Sequence, residues 1–330
     1  MIERAARFAC AADEVWRLQR GSDADCLLFQ RWTNGGERIT DRGSRQGFWV
    51  FAPGGRVLGR INTRSPERVA AMLDEALARW DELAADERRL PGDVDLETAH
   101  RWELGYPEGG LALERYSREI GPDGLDAVPS DRWNRDTLWC SAAEVAGMLP
   151  ESASVGDVLE LGLLADRLVR FALVDDARGQ TLPYAPEEVE RARLTARVVA
   201  REGDRVELAL EGETVASSDG TWRLGENLWK PKRGFAHAIR CALRGTATVD
   251  LAAARFVDFD LVALGVRTGR TQFNGRGRGP DLGPSRVGFH LSLAPDRLAP
   301  TFAALYRVDW IPEPELPTWR DSPDEVGLGR

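Results

Sequence analysis

The pattern of apolar and polar positions is clearest near the start of the chain. Two apolar runs, 48–52 and 57–62, flank Pro53–Gly55, and glycines supply the positive φ that such a turn needs. The runs therefore predict a β-hairpin. A helix is predicted directly after it, because Ser65 is a good N-cap, Pro66 suits the first turn and apolar residues recur every three to four positions. The apolar stripe of this helix consists of Val69, Met72, Leu73, Ala76, Leu77, Trp80 and Leu83.

The residues before the hairpin complete an N-terminal unit. Residues 8–18, FACAADEVWRL, predict a buried strand, and residues 21–32, GSDADCLLFQRW, predict a turn followed by a helix. A polar loop that contains glycine, over 33–46, leads into the hairpin. The unit is thus predicted as strand, helix, loop, two strands and helix.

This order of elements resembles the C-terminal half of a thioredoxin-like domain. The resemblance is carried mainly by QGFWVFAPGGRVLGRINTRSPERVAAMLDEALARW at 46–80. In that family a β-hairpin packs beside the active-site helix and a last helix closes the sheet. The resemblance implies a thioredoxin-like α/β domain over residues 1–90. The whole chain also resembles bacterial proteins in which such a domain is fused to a β-rich domain.

The chain departs from the thioredoxin pattern at the positions that carry redox chemistry. Thioredoxins have a CxxC motif at the start of the first main helix and a cis-proline just before the hairpin. The matching places here hold Asp23–Cys26, DADC, and Arg45–Gly47, RQG. The resemblance therefore implies a degenerate domain that is inactive in dithiol exchange.

The rest of the chain is predicted to contain a connector, a β domain and a tail. Residues 91–155 are the connector, with one strand, LALERYSREI, and a short helix that begins at the capping-box signature Ser141–Glu144. Residues 156–312 are the antiparallel β domain, because the hydrophobic period changes from helical to two near residue 192. The proline-rich residues 313–330 predict an irregular tail.

The β domain is predicted to combine one helix with several strands. A helix is expected over 157–174, a hairpin over 193–217, a meander of three strands over 234–269 and a further strand over 287–295. Six or more antiparallel strands at this spacing fit a barrel, a half-barrel around a helix, or a sandwich. The predicted fold class is therefore α+β, with a thioredoxin-like domain followed by an antiparallel barrel or half-barrel with a packed helix.

Composition and charge narrow the classes of function. Of 330 residues, 43% are hydrophobic and 29% are charged, as in an ordinary soluble globular protein. The net charge of −9 argues against a general nucleic-acid binder and against docking on anionic membranes. No apolar run reaches the roughly eighteen residues of a membrane span. We expect a cytoplasmic protein, or an exported one if a leader has been removed, since the N-terminus has no signal-peptide pattern.

Cys26 is the candidate catalytic residue. A thiol near a helix N-terminus gains from the exposed N–H groups, which stabilise its thiolate. The neighbouring Asp23 and Asp25 oppose thiolate formation, and the run CLLF is also typical of a buried helix face. Two interpretations stay open, a reactive thiol and a buried structural cysteine.

No metal and no cofactor are expected. His237 and Cys241 would share one face of a strand, but about 13 Å apart at about 3.3 Å per residue, which is too far to ligate one ion. The four cysteines form no CxxC pair. Phosphate-binding loops and the GxSxG motif of hydrolases are also missing.

The polar segment RTGRTQFNGRGRGPDLGPSR at 267–286 is the candidate ligand-binding site. Guanidinium groups bind carboxylates and phosphates through paired donors, so such a loop at the mouth of a barrel would clamp a small anion. The alternative is a solvated loop whose arginines meet acidic neighbours elsewhere. Smaller polar clusters lie at 131–136 and 178–181. The candidate ligand-binding residues are Arg267, Arg270, Gln272, Asn274, Arg276 and Arg278.

The sequence supports three functional hypotheses from different classes. The first is a non-catalytic binding or interaction protein, in which the redox-inactive domain is a scaffold and the β domain holds a protein or a small molecule. The second is a thiol redox protein that uses Cys26 alone. The third is an enzyme or binder that acts on a small anion at the arginine loop. Neither nucleic acid nor a membrane span is expected.

Overall fold

The described residues form two units, one within 1–100 and one within 101–315. Each unit has its own hydrophobic core. The computed structural model describes residues 2–10, 15–20, 24–35, 43–89, 92, 109–130, 132–179, 181–221, 234–277 and 282–294. No helix within these stretches has the length and apolar character that crossing a membrane requires.

The first unit contains the predicted hairpin and the predicted helix after it, and both are confirmed. Trp49 pairs with Arg60 across the hairpin, and the Ser65 hydroxyl accepts a hydrogen bond from the backbone N–H of Arg68 at 3.2 Å. The elements are α1 (Ile2–Ala5), α2 (Val15–Arg20), α3 (Ala24–Thr33), β1 (Phe48–Phe51), β2 (Val57–Ile61) and α4 (Pro66–Asp81).

Helices α3 and α4 pack against the apolar side chains of the hairpin. Met72 and Ala76 of α4 are buried in one cluster with Val50 and Leu58 of the strands. Trp32 of α3 contacts Phe51, with ring centroids 5.1 Å apart. The apolar stripe read from the sequence is therefore the face of α4 that packs on the sheet.

One expectation for the first unit is wrong where it can be checked. Residues 15–20, at the end of the expected buried strand 8–18, form helix α2, and residues 11–14 lie outside the described residues. Two strands, β1 and β2, are present in the part of this unit that the structure describes. The thioredoxin-like assignment of residues 1–90 stays a prediction.

The second unit is built on long strands. Its elements are β3 (Leu111–Ile120), β4 (Trp133–Cys140), α5 (Ala142–Met148), β5 (Val158–Glu160), α6 (Gly162–Arg167), a π turn (Leu168–Ala172), β6 (Val189–Glu202), β7 (Arg205–Ser218), β8 (His237–Asp250), β9 (Arg255–Gly269) and β10 (Ser285–Leu293), with 3-10 turns at Leu125–Ala127 and Pro186–Glu188. The predicted capping box is confirmed, since Ser141 and Glu144 exchange hydrogen bonds at the start of α5.

These strands form one antiparallel sheet of eight strands in the order β4-β3-β10-β9-β8-β7-β6-β5. The sheet is open, with β4 and β5 at its two edges, so the described strands do not close a barrel. The fold is α+β with a large antiparallel sheet. Residues 91–155, expected to be a connector, supply β3 and β4 to this sheet, because Ser117 of β3 pairs with Phe289 of β10.

Two local expectations for the second unit need correction. The expected helix at 157–174 begins later, because residues 158–160 pair with β6 as β5 and Gly162 opens α6. The expected meander of three strands at 234–269 is two longer strands, β8 and β9. Their one turn is closed by Asp250, which accepts a hydrogen bond from the N–H of Ala253 at 3.0 Å.

The core of the second unit lies between α6 and one face of the sheet, called here the inner face; the opposite face is the outer face. Leu164 and Leu168, from α6 and the π turn, are fully buried in one cluster with leucines from strands across the sheet. Inward and outward positions alternate along the long strands, as in β3, where every second residue is buried.

Two inner-face glycines let neighbouring strands approach closely. A Cβ atom at Gly245 would lie 2.1 Å from the carbonyl oxygen of Asp260 on β9. A Cβ atom at Gly212 would lie 2.3 Å from the carbonyl oxygen of Arg193 on β6. Both contacts are shorter than any real Cβ contact, so these positions require glycine, as is common where a strand bends.

Replacing Gly245 with alanine is expected to lower the free energy of unfolding by about 1–3 kcal/mol, because backbone would have to move to admit the methyl group. Gly147 in α5 is the matched control, since a Cβ there meets no atom within 4 Å. Alanine at Gly147 is expected to raise the free energy of unfolding by about 0.5–1 kcal/mol. Chemical denaturation measures both values, and changes of the same sign would contradict this account.

Candidate functional site

The chain that follows the π turn carries two adjacent carboxylates into the inner face of the sheet. The backbone N–H of Leu173 bonds to the carbonyl of Leu168 at 2.8 Å and ends the turn. Asp175 and Asp176 come next, and both side chains are buried. A buried carboxylate is costly unless it is paired and hydrogen-bonded, so their partners define this site.

Asp176 is held by residues of β3 and β4. Arg115 donates two hydrogen bonds to its carboxylate, at 2.9 and 2.6 Å, and Ser117 donates one at 2.7 Å. Arg115 and Ser117 are two positions apart on β3, so both point inward. Asn134, directly opposite Ser117 on β4, donates a further hydrogen bond at 3.0 Å. Four hydrogen bonds therefore compensate this buried charge.

Asp175 is held from the other side by β9 and the loop after it. Arg267, an inner-face residue that is fully buried, donates a hydrogen bond to the Asp175 carboxylate. Asn274 donates another at 3.0 Å, and the guanidinium of Arg276 lies 3.6 Å away. The cross-strand neighbour of Arg267, Ser285, accepts a hydrogen bond from its Nε at 3.1 Å.

Glu119 connects the two groups of partners, because it lies on β3 with the partners of Asp176 and contacts Arg267, a partner of Asp175. Arg178 donates to its carboxylate through Nε at 2.6 Å and again through Nη2, and Arg132 and Arg267 each approach it at 3.3 Å. Burial alone would raise the pKa of Glu119. The hydrogen bond from Arg178 and the three positive charges outweigh burial, so the pKa lies below its ordinary value.

Three polar segments that are separate in the sequence meet in this network. Residues 131–136 supply Asn134, residues 178–181 supply Arg178, and the arginine loop supplies Arg267, Asn274 and Arg276. The partners that the sequence did not reveal are Arg115, Glu119, Asp175 and Asp176. A signal existed for the β3 residues, because Arg115 and Glu119 stand in phase with the inward-facing Leu111 and Leu113.

The other candidate ligand-binding residues are Arg270, Gln272 and Arg278. The Arg270 guanidinium stacks 3.7 Å from the ring centroid of Phe235, and Gln272 is half-buried. Arg278 lies outside the described residues. Arg267 and Arg276 both face the carboxylate of Asp175, and Arg267 also approaches that of Glu119. An external anion would therefore have to displace an internal one to reach these arginines.

The candidate catalytic residue, Cys26, is fully buried in α3, with 0% of its surface exposed. Cys140 and Cys241 are also buried, and burial raises the pKa of each thiol to about 12. Cys10 is exposed, and all four cysteines are free thiols. Since the thiolate is the reactive form, the buried positions do not favour thiol chemistry.

His237 lies beside a small cleft rather than at a metal site. Its Nδ1 is 3.2 Å from the carbonyl oxygen of Phe235, and burial lowers its pKa. The cleft, lined also by Glu188, Ser218 and Thr271, has room for about one water molecule. Within the described ranges, no three side chains of the types that bind metals come together.

The outer face of the sheet carries an exposed apolar row on β9. Val262, Leu264 and Val266 alternate with inward residues and are 52%, 50% and 37% exposed. We call these three residues the β9 ridge. Ala242 of β8 and Gly288 of β10 lie directly opposite Leu264 and add no bulk or charge.

Arginines border the β9 ridge on both sides. Arg244 and Arg240 on β8 lie opposite Val262 and Val266, and Arg286 on β10 also lies opposite Val266. Arg240 and Arg244 form no ion pair with any residue that the structure describes. Two other outer-face arginines are paired, since Arg191 contacts Glu213 and Arg135 contacts Glu114.

Comparisons with known proteins identified no relative of this chain. No protein-family model, no curated protein and no solved structure matches the chain. Function is therefore inferred from the geometry of the chain's own residues.

Replacing Asp176 with asparagine is expected to lower the free energy of unfolding by about 3–5 kcal/mol, because Arg115 would keep a buried charge without its main counterion. Asp258 is the matched control, since its carboxylate is exposed on the outer face and its replacement should change stability by less than about 0.5 kcal/mol. The double change Arg115→Met with Asp176→Leu should recover most of the loss. Chemical denaturation measures all three, and equal effects at Asp176 and Asp258 would contradict the network.

In the native protein, a disulfide reagent such as Ellman's is expected to modify Cys10 rapidly and the three buried thiols at least about a hundredfold more slowly. Cys10→Ser should remove the fast phase, and Cys26→Ala should leave it unchanged. The absorbance of the released thiolate measures both phases. Fast modification of Cys26 would instead favour the redox hypothesis.

Proposed function

We propose that this protein is a non-enzymatic interaction module that binds a protein partner through the outer face of its eight-stranded sheet. The observation that carries the proposal is the β9 ridge. Large apolar side chains stand exposed at the centre of a sheet whose other outer positions are mostly polar or charged. Exposed apolar patches of this kind mark binding surfaces.

The ridge breaks the usual pattern of a half-exposed antiparallel sheet. Such a sheet alternates apolar residues inward with polar residues outward. The neighbouring strand β8 follows the rule with Arg240, Arg244 and Thr246 facing outward, whereas β9 is apolar on both faces from Leu261 to Val266. Covering a valine or leucine that is half exposed contributes about 1 kcal/mol. Three such side chains in a row favour a partner that covers them together.

The inner face supports a non-catalytic role. Arg267 and Arg276 face Asp175, and Asp176 is held by four hydrogen bonds, so these charges stabilise the fold. The burial of Cys26 is in keeping with the proposal that residues 1–90 form a thioredoxin-like scaffold without redox activity. No observation of similar strength supports the thiol redox protein or the small-anion enzyme or binder.

A photoreactive amino acid at position 264 tests the proposal. In cells that make the protein, we expect a cross-link to one discrete partner protein from position 264 and none from position 199. Val199 is the matched control, an outer-face valine on β6 that is 47% exposed. The changes Val262→Ser and Val266→Ser should abolish the cross-link. Equal cross-linking from both positions, or none from position 264, would refute a binding surface at the ridge.

A further inference from the structure

We infer that the β9 ridge accepts an amphipathic helix with acidic flanks, an assignment of partner class that rests on the proposed function. The ridge supplies an apolar strip, and the strands on either side of it supply positive charge. A partner that fits both must present an apolar stripe between two rows of carboxylates.

The charges beside the ridge carry the first step. Arg240 and Arg244 are exposed and form no ion pair with a described residue. Arg286, on the other side, donates to the backbone carbonyl of Pro122 at 3.2 Å and forms no ion pair with a carboxylate in the part of the chain that the structure describes. The nearest acidic group on β9, Asp260, already contacts His290 at 3.2 Å. Glu211 of β7 lies opposite Arg244 on the side away from the ridge but forms no ion pair with it, so the three arginines beside the ridge can accept carboxylates of a partner.

The dimensions of the surface carry the second step. Neighbouring strands lie about 4.8 Å apart, so the arginines of β8 and the single arginine of β10, Arg286, are separated by about 10 Å with the ridge midway. An α-helix with its side chains is about 10–12 Å wide, so one helix along β9 covers all three strands. The ridge from Val262 to Val266 spans about 13 Å, which matches about nine helical residues at about 1.5 Å each.

The chain offers a control with the same charge and spacing. Arg193 and Arg197 on β6 are exposed outer-face residues four positions apart, as are Arg240 and Arg244 on β8. Neither β6 arginine forms an ion pair with a residue of the described chain. Charge reversal at either pair changes the net charge equally, but one pair alone borders the ridge.

The test uses two synthetic helical peptides of about eighteen residues, each with a leucine stripe. One peptide has glutamates and the other lysines beside the stripe, and both carry a fluorophore for anisotropy titration with the full chain. We expect the glutamate peptide to bind at least tenfold more tightly than the lysine peptide, and its affinity to fall as salt rises. The double change Arg240→Glu with Arg244→Glu should invert the preference. The double change Arg193→Glu with Arg197→Glu should leave it in place.

Each other outcome overturns a defined part of the inference. Equal binding of both peptides, or equal effects of the two charge reversals, would remove the acidic partner. If neither peptide binds while position 264 still cross-links to a partner, the proposed function stands and the acidic helix does not. Self-association that Leu264→Ser abolishes, measured by sedimentation velocity, would assign the ridge to a second copy of the chain. Thermal melting of each variant tests whether a loss of binding reflects a loss of folding.

Discussion

Two adjacent buried carboxylates, Asp175 and Asp176, are the constraint on which the second unit depends. Their desolvation is tolerated only because arginines and amides from distant segments converge on them. Asp176 draws its partners from β3 and β4, whereas Asp175 draws them from β9 and the loop that follows it. One short stretch of chain thus ties together strands that lie on both sides of β10.

The same constraint decides what the outer face displays. Side chains alternate along β9, so an inward Arg267 requires an outward Val266, and the rest of the ridge follows at every second position. A slip of β9 by one residue would expose Arg267, leave Asp175 short of a counterion and bury the ridge. The buried ion pair and the exposed apolar row are therefore two results of one register.

Local patterns in the sequence predicted local structure well, but they did not predict which strands pair across long stretches of sequence. The hairpin at 48–62, helix α4 and the capping box at Ser141 depend on residues close in sequence, so propensity and periodicity were sufficient. The pairing of β3 with β10 produces no pattern among residues close in sequence, so residues 91–155 were interpreted as a connector. The arginine loop was recognised as unusual, but its partner Asp175 lies about ninety residues away.

The strand order also bears on how the chain is made. Ser117 pairs with Phe289, and closing a loop of about 170 residues costs about 4–5 kcal/mol of chain entropy before any contact repays it. During synthesis on a ribosome, β3 and β4 emerge long before β10, while β6 to β9 pair in simple sequence order. Nascent chains therefore pass through an interval in which β3 presents an unpaired strand edge, the kind of edge through which polypeptides aggregate.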